Sequence, residues 1–321
     1  VLAYIVRRLA YGAVVVLGVL LLLFALFFLI ARPDDVARKA LGEKAQQEQI
    51  EQWKKHHGYD KPLWPTPARP RDNMLFEHFR RMLTFDFGRS DADDVPIIER
   101  VREGMGPSLS LTVPMFLMGL VLGILLSLFV AFFRETYIDR TGVVLSVLAM
   151  SISILLYIIG AQYLLGKLLR WFPISGFEFS PTVVARFLAL PVLVGVAAAL
   201  GSNVRFYRTV FVEEVNRDYV RTARAKGAGD ARVMIRHVLQ NAMIPILTNV
   251  VMAIPFLFTG SLLLEAFFGI PGLGSVTVDA IQGNDFATLR TMVFIGALLF
   301  ILGQILTDIS YTLVDPRIRL E

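Results

Sequence analysis

Residues 203–241, NVRFYRTVFVEEVNRDYVRTARAKGAGDARVMIRHVLQN, form the one long polar stretch in the C-terminal two thirds of the chain. The stretch joins two apolar runs and carries Arg205, Arg208, Arg217, Arg221, Arg224, Lys226, Arg232 and Arg236. A segment this basic between two membrane spans belongs on the cytoplasmic side. Asp218 to Lys226 reads as a short helix closed by Gly227, which takes a positive φ without steric penalty. Asp230 is the expected N-cap of a second helix that continues into the next span. The expected shape is a helical elbow below the membrane, with Thr222, Ala223 and Ala225 at its bend. Small residues admit a close approach by another protein's backbone, and their basic neighbours suit an acidic or polar socket. Read on its own, the stretch is equally an ordinary loop whose charges only fix orientation.

Working outward, the 321-residue chain is 55% hydrophobic, with a mean hydropathy of +0.60, more apolar than a soluble domain requires. Six runs lack any charged residue: 9–31, 104–133, 141–166, 187–204, 238–264 and 291–307. Each approaches the roughly 20 residues that cross a hydrocarbon core. The expected fold is an all-α membrane protein of six transmembrane helices, with residues 1–31 as leader and first span, 32–107 as an external loop domain, and 108–321 as a five-helix core. The first run exceeds a signal-peptide core and is expected to anchor.

Charge sets the orientation. Arg7, Arg8, Arg134, Arg140, Arg317 and Arg319 join the eight basic residues of the elbow on one side, whereas the short loops opposite hold only Lys167, Arg170, Arg186 and Arg290. Both termini are therefore expected to be cytoplasmic. Residues 32–107 carry 14 Lys/Arg and 14 Asp/Glu, but so long a loop is largely exempt from the rule. The basic balance reflects topology, and no patterned support for nucleic-acid binding accompanies it. Cysteine is absent, which removes disulfides and thiolate chemistry.

Within 32–107, residues 35–57 have a helix-forming composition that Gly58 ends. A proline-rich connector and a second helical piece, Asn73 to Leu83, follow. His56 and His57 point about 100° apart on a helix and cannot share a metal as an i, i+4 pair would; with His78 they read as surface residues. Gly119 and Gly123 permit close helix approach, most simply within this chain. Ser151, Ser153, Tyr157 and Gln162 stand in the third run, where polar groups find internal partners or line a wet path.

After the fifth run comes Thr259-Gly-Ser-Leu-Leu-Leu-Glu265-Ala-Phe-Phe-Gly-Ile-Pro271-Gly272-Leu-Gly274. Pro271, Gly272 and Gly274 demand a turn. Glu265 is a carboxylate at the edge of hydrocarbon, costly unless it faces water or a partner, so it is expected either beside an external mouth that it helps to gate or within a purely structural turn.

The sequence shows no energy source of its own. It has no G-x-x-x-x-G-K-[ST] loop for nucleotide phosphates and no H-E-x-x-H or G-x-S-x-G catalytic motif. The uncharged runs lack the midplane ionisable groups of a proton- or sodium-driven carrier. No catalytic residue, metal site or bound cofactor is expected, and the work must come from a partner.

Thr222-Ala-Arg-Ala-Lys-Gly227, followed by His237-Val-Leu-Gln-Asn-Ala242 and Pro245, resembles the coupling loop of ABC-importer permeases of the dipeptide and oligopeptide family. Arg221 stands where the wider superfamily has Glu, and the following proline is displaced, as in the peptide branch. The Tyr4-x-x-Arg7-Arg8 leader, the Gly58-Tyr-Asp-Lys-Pro62 and Phe85-Asp-Phe-Gly-Arg-Ser90 elements of the loop, the Glu265 to Gly274 segment and the Asp315-Pro-Arg-Ile ending are similar to the same family in order. The Ser-Tyr-Thr-Leu-Val before that ending resembles the microcin C and oligopeptide branch, and the chain its first permease subunit. The resemblance implies a multi-pass permease in a bacterial cytoplasmic membrane. Its partners would be a homologous second permease, one or two ATPases holding ATP and Mg, an extracytoplasmic substrate-binding protein and a peptide cargo, with nickel or sugars as alternatives. It further implies that Tyr219, Thr222, Ala223, Arg224, Ala225, Lys226 and Gly227 are ATPase contact and turn positions, that His237 and Asn241 support the elbow, and that Glu265, Pro271, Gly272 and Gly274 belong to an external gate. Outside this family, a channel or carrier without ATPases and a membrane scaffold are the competing classes.

Overall fold

The computed structural model describes residues 2–31, 33–42, 45–67, 70–178, 180 and 184–314. The Asp315-Pro-Arg-Ile ending lies outside them, as do the side chains of Tyr4 and Asp308. Among the described residues the structure is helical, and pairing of extended backbone is limited to isolated bridges such as Arg89 with Pro96.

The first run forms α1 (Leu2–Phe24), which widens into a π-helical end, Ala25–Ile30. The segment expected as one helix over 35–57 is two, α2 (Pro33–Leu41) and α3 (Gln47–His57). Gly42 separates them at φ +97°, and Gly58 closes α3 at φ +74°, conformations that glycine adopts without strain. In α4 (Met74–Leu83), Asn73 caps the first turn by accepting from the Phe76 amide at 2.8 Å. His78 on this helix is buried, contrary to its reading as a surface residue: it reaches the Leu20 carbonyl of α1 at 3.1 Å.

The run at 104–133 lies in α5 (Ile97–Phe132). The run at 141–166 departs from expectation. It is a bent pair, α6 (Tyr137–Ser151) and α7 (Ile154–Ala161), the latter continued by a π-helical segment Gln162–Leu168, with an 87° bend between them. The break is held locally: Ser153 accepts from the Leu155 amide, and the Tyr157 hydroxyl donates across the bend to the Ala149 carbonyl at 3.0 Å. Gln162 donates to the Ile174 and Phe267 carbonyls at 3.0 Å. The polar groups of this run thus have internal partners, which leaves hydropathy unchanged while the axis turns.

Next come α8 (Val184–Val215), α9 (Asp218–Ala225) and α10 (Asp230–Val233), the last continuing through a π-helical turn, Met234–Val238, into α11 (Leu239–Leu257). A second bent pair, α12 (Leu262–Phe268) and α13 (Leu273–Gln282), turns by 83° before α14 (Phe286–Val314). Among the described residues, five helices are long and apolar enough to cross a membrane, or up to seven if each bent pair counts as one crossing.

The principal helix pair is α5 with α8. A Cβ on Gly123 would lie 3.0 Å from Asn203 Cβ and 3.1 Å from the Tyr207 ring, so the small-residue spacing of α5 is used within this chain. On the other side of α8, a Cβ on Gly201 would lie 2.7 Å from the Ser146 carbonyl oxygen of α6. Without water to drive apolar helices together, such close packing and interhelical polar bonds hold them. The Thr112 hydroxyl donates to the Leu257 carbonyl at 2.8 Å, and Arg208 grips both Asp139 oxygens at 2.6 and 2.7 Å. Large apolar side chains such as Val14, Leu125, Leu145 and Leu156 remain exposed on the helix flanks.

Candidate functional site

The elbow is built from its buried side outward. Asn216 and Arg217 turn the chain out of α8, and Arg134 at the end of α5 donates to Asn216 Oδ1 at 2.8 Å. Val220, Val233 and Val238 are fully buried with Phe211 and Val215 of α8 and Ala242 of α11. Burial of each such side chain contributes about 1.5–3 kcal/mol, so α9 is seated at both ends on the spans it connects.

Side-chain bonds tie α9 to its neighbours. The Tyr219 hydroxyl donates to Glu214 Oε2 at 2.6 Å; burial, then the Glu214 carboxylate, pushes its pKa upward. Arg224 Nε pairs with Asp230 Oδ1 at 3.1 Å, joining α9 to α10.

Gly227 has φ +82° and lies one residue beyond the cap, which is Lys226. Its amide donates to Arg224 O at 2.9 Å, and the Ala228 amide to Ala223 O at 3.2 Å. These two bonds define a Schellman motif, in which the left-handed residue follows the cap. The N-cap of α10 is Gly229, not Asp230. Asp230 is the first helical residue, where its charge still favours the helix N-terminus while its carboxylate is turned to Arg224.

The expected contact positions divide. Thr222, Arg224, Ala225, Lys226 and Gly227 are exposed on one surface with Arg221, whereas Tyr219 and Ala223 face inward and pack on the buried cluster. Asn241 donates to the His237 carbonyl at 2.7 Å, and its side chain also bonds with Tyr219. His237 is half-buried and Asn241 exposed. Of the basic residues, Arg208 is absorbed by Asp139 and Arg217 by Glu213 at 2.9 Å. The elbow therefore presents Arg221, Arg224 and Lys226 on an exposed surface backed by a buried apolar cluster.

The second region lies at the far end of the helices. Glu265 is wholly buried, so it does not face a water-filled mouth. Its Oε1 accepts from the Ser108 hydroxyl at 2.9 Å and the Ser261 amide at 2.9 Å; its Oε2 accepts from the Gly274 amide at 2.7 Å and the Ser275 amide at 3.2 Å. Ser108 in turn accepts from the Leu273 amide at 2.8 Å. A buried carboxylate is tolerated when its lone pairs are met in this way. The glycines follow from it: a Cβ on Gly274 would lie 2.8 Å from Glu265 Oε2, and one on Gly272 would collide with the same oxygen. Gly272 caps α13, and Pro271 stands exposed just before it. Glu265 is thus a staple that fixes the α12–α13 hairpin to α5.

Sequence reasoning missed Ser108, Asp139 and Asp285. Asp285 before α14 accepts from the Ser90 hydroxyl at 2.6 Å, the Asp91 amide at 3.0 Å and the Thr288 amide at 3.0 Å. It anchors the Phe85–Ser90 element, of which Phe87 and Ser90 are buried and Phe85 is exposed. Partners this distant in sequence leave no local signal; only Asp285 followed three residues later by Thr288 has the form of a cap.

Residues 108–320 match the family model described as binding-protein-dependent transport system inner membrane component, and residues 1–68 match the N-terminal model of the same transport systems. A protein of Brucella abortus (strain 2308) named for a peptide transport system permease is 31% identical over 99% of both chains. The glutathione transport system permease proteins of Salmonella choleraesuis (strain SC-B67) and Salmonella typhimurium are likewise 31% identical over 99% of each chain.

Proposed function

The chain belongs to the family of binding-protein-dependent transport system inner membrane components, and from that premise we propose that it moves peptides into the cytoplasm as one permease subunit of an ATP-driven importer. It is a multi-pass inner-membrane protein. The observation that carries the coupling role is the elbow: a short helix, locked to the spans on either side by Val220, Val233 and Tyr219, that exposes Thr222, Ala225, Lys226 and Gly227 together. A lever must be rigid behind and open in front. ATPases closing on this surface would move α8 and α11 as they move α9.

In this reading six crossings, with α6 and α7 as one bent span, leave both termini and the elbow in the cytoplasm. The positive-inside distribution of Arg and Lys supports that orientation. Residues 32–107 and the α12–α13 hairpin then face outward, where a substrate-binding protein delivers cargo. A homologous second permease completes the path, and one or two ATPase subunits hold the ATP and Mg. This chain supplies no catalytic group. Peptide cargo is supported by the relatives' names, and glutathione is itself a tripeptide. Dependence on a partner's energy is supported by Glu265 and Asp139, whose oxygens are committed to fixed internal bonds.

The test is co-purification of the tagged chain from its native membrane in mild detergent, with ATPase activity assayed with and without short peptides. Recovery of a second permease and ATPases, with peptide-dependent turnover in the presence of the binding protein, is the expected result. A chain that purifies without any ATPase would return it to the channel or scaffold classes.

A further inference from the structure

Where the turn after α3, the 86–94 segment and the first turns of α14 meet, a recess of about 230 Å³ is lined by His56, His57, Tyr59, Arg89, Asp91 and Arg290, among others. Arg290 is its least satisfied member. The side chain is only 7% exposed, and its guanidinium carbon lies 4.7 Å from the centroid of the Phe28 ring. Nε and Nη1 are buried and have no hydrogen-bond acceptor among the described residues. Unmet donors on a buried guanidinium are costly, and native structures rarely leave them without a purpose.

The neighbours do not fill the gap. Asp91 offers compensating charge, and Tyr59, whose hydroxyl donates to Asp91 at 3.2 Å, shares a further side-chain bond with Arg290, but neither meets Nε or Nη1. The other basic side chains at the recess have partners of their own: Arg89 donates to the Asp94 carbonyl at 2.8 Å, and Arg81 to Glu77 at 2.7 Å. His78, whose ring lies 5.7 Å from that of Phe28, is held neutral by burial and by the Arg290 charge.

We propose that this recess is a carboxylate-binding site anchored by Arg290. The planar guanidinium fork matches a carboxylate in a way that a point charge does not, and the recess has room for a carboxylate with a short stem. Such a group is offered by the C-terminus of a free peptide or by an acidic side chain of a protein that docks on this end. The site stands on this geometry alone and is independent of the cargo proposed above.

The experiment is a titration of the full-length chain in detergent, at constant ionic strength against a chloride baseline. Acetate is compared with acetamide, and a dipeptide in free-acid form with its C-terminal amide. The readouts are the thermal unfolding midpoint and the fluorescence of Trp53, which stacks on His57 at 4.1 Å. The carboxylates are expected to raise the midpoint by a few degrees and to alter the fluorescence, while the amides do neither. Arg290→Lys is expected to weaken binding by about tenfold, and Arg290→Gln to abolish it. A free-acid dipeptide binding at least tenfold tighter than acetate assigns the site to peptide termini; equal binding assigns it to carboxylates of a docking protein. Identical responses to acids and amides in the wild-type chain, which needs no variant to fold, overturn the proposal, as does a response that survives in Arg290→Gln.

Discussion

Ser108 on α5 donates its hydroxyl to Glu265 Oε1 on α12 at 2.9 Å and accepts the Leu273 amide of α13 at 2.8 Å, so a single hydroxyl joins three helices. Together with the two amides at the start of α13, it holds the Glu265 carboxylate in a site without solvent. Glu265→Gln keeps the shape but sets an amide NH₂ against backbone donors. The expected cost is roughly 2–3 kcal/mol, read as a lowered unfolding midpoint, with loss of uptake because the hairpin loosens. Full uptake and an unchanged midpoint would show that the charge has no role.

Gly227 offers a cleaner separation of backbone from packing. A Cβ there would meet nothing within 4 Å, so Gly227→Val is not a steric clash; it costs about 1–2 kcal/mol through the left-handed φ alone. The Schellman turn should relax and α9 lose its fixed angle. Insertion and assembly are expected to persist while ATP hydrolysis proceeds without matching uptake. Transport undiminished in this variant would contradict the lever.

Arg208 and Asp139 link α8 to α6 by a two-pronged pair in which Asp139 is buried. Arg208→Ala leaves that carboxylate with only the Glu135 amide, 3.2 Å away, and the expected loss is roughly 1–3 kcal/mol. Asp139→Asn on the same background should restore part of it by removing the stranded charge. A double variant no better than Arg208→Ala would show that the pair does not act as a unit.

His78 gives the fold a pH dependence of definite sign. Its Nε2–H is directed at the Leu20 carbonyl at 3.1 Å, and burial first, then the Arg290 charge, lowers its pKa from 6.5 to about 3. The unfolded chain takes up this proton near pH 6.5 and the folded chain does not, so stability is full above pH 6.5 and falls as the pH drops toward 3. At about 1.4 kcal/mol per pH unit, the loss reaches about 2 kcal/mol by pH 5. His78→Gln, which keeps a donor for Leu20, should flatten the midpoint against pH between 6.5 and 4.5; parallel curves for the two proteins would exclude His78 as the source.

The long apolar helices and the short helix of the elbow were legible in the sequence because both rest on local chemistry: uncharged runs of span length, a short helix bounded by Gly227, and small residues among basic ones. Positions governed by tertiary contact were not. Hydropathy is blind to the bend between Ser151 and Ile154, since both arms are equally apolar and no proline or glycine marks it. Glu265 was visible as an anomaly, yet only Ser108 and the α13 amides explain why it is stable there. Arg290 was counted as a loop charge, although it is buried against Phe28. The helix expected over 35–57 ends at Leu41, where Gly42 at φ +97° breaks a run whose composition otherwise favours helix.

The chain has no cysteine, so a single one can be placed at will. The most direct test of the coupling claim introduces Lys226→Cys on the exposed face of α9 and, as control, Glu103→Cys at the exposed far end of α5, and applies a short thiol–amine cross-linker to native membranes containing the assembled transporter. The account predicts a cross-link from position 226, and none from position 103, to an ATPase subunit, changing in yield when ATP is trapped. Absence of the ATPase adduct at 226, or equal adducts from both ends, would contradict it.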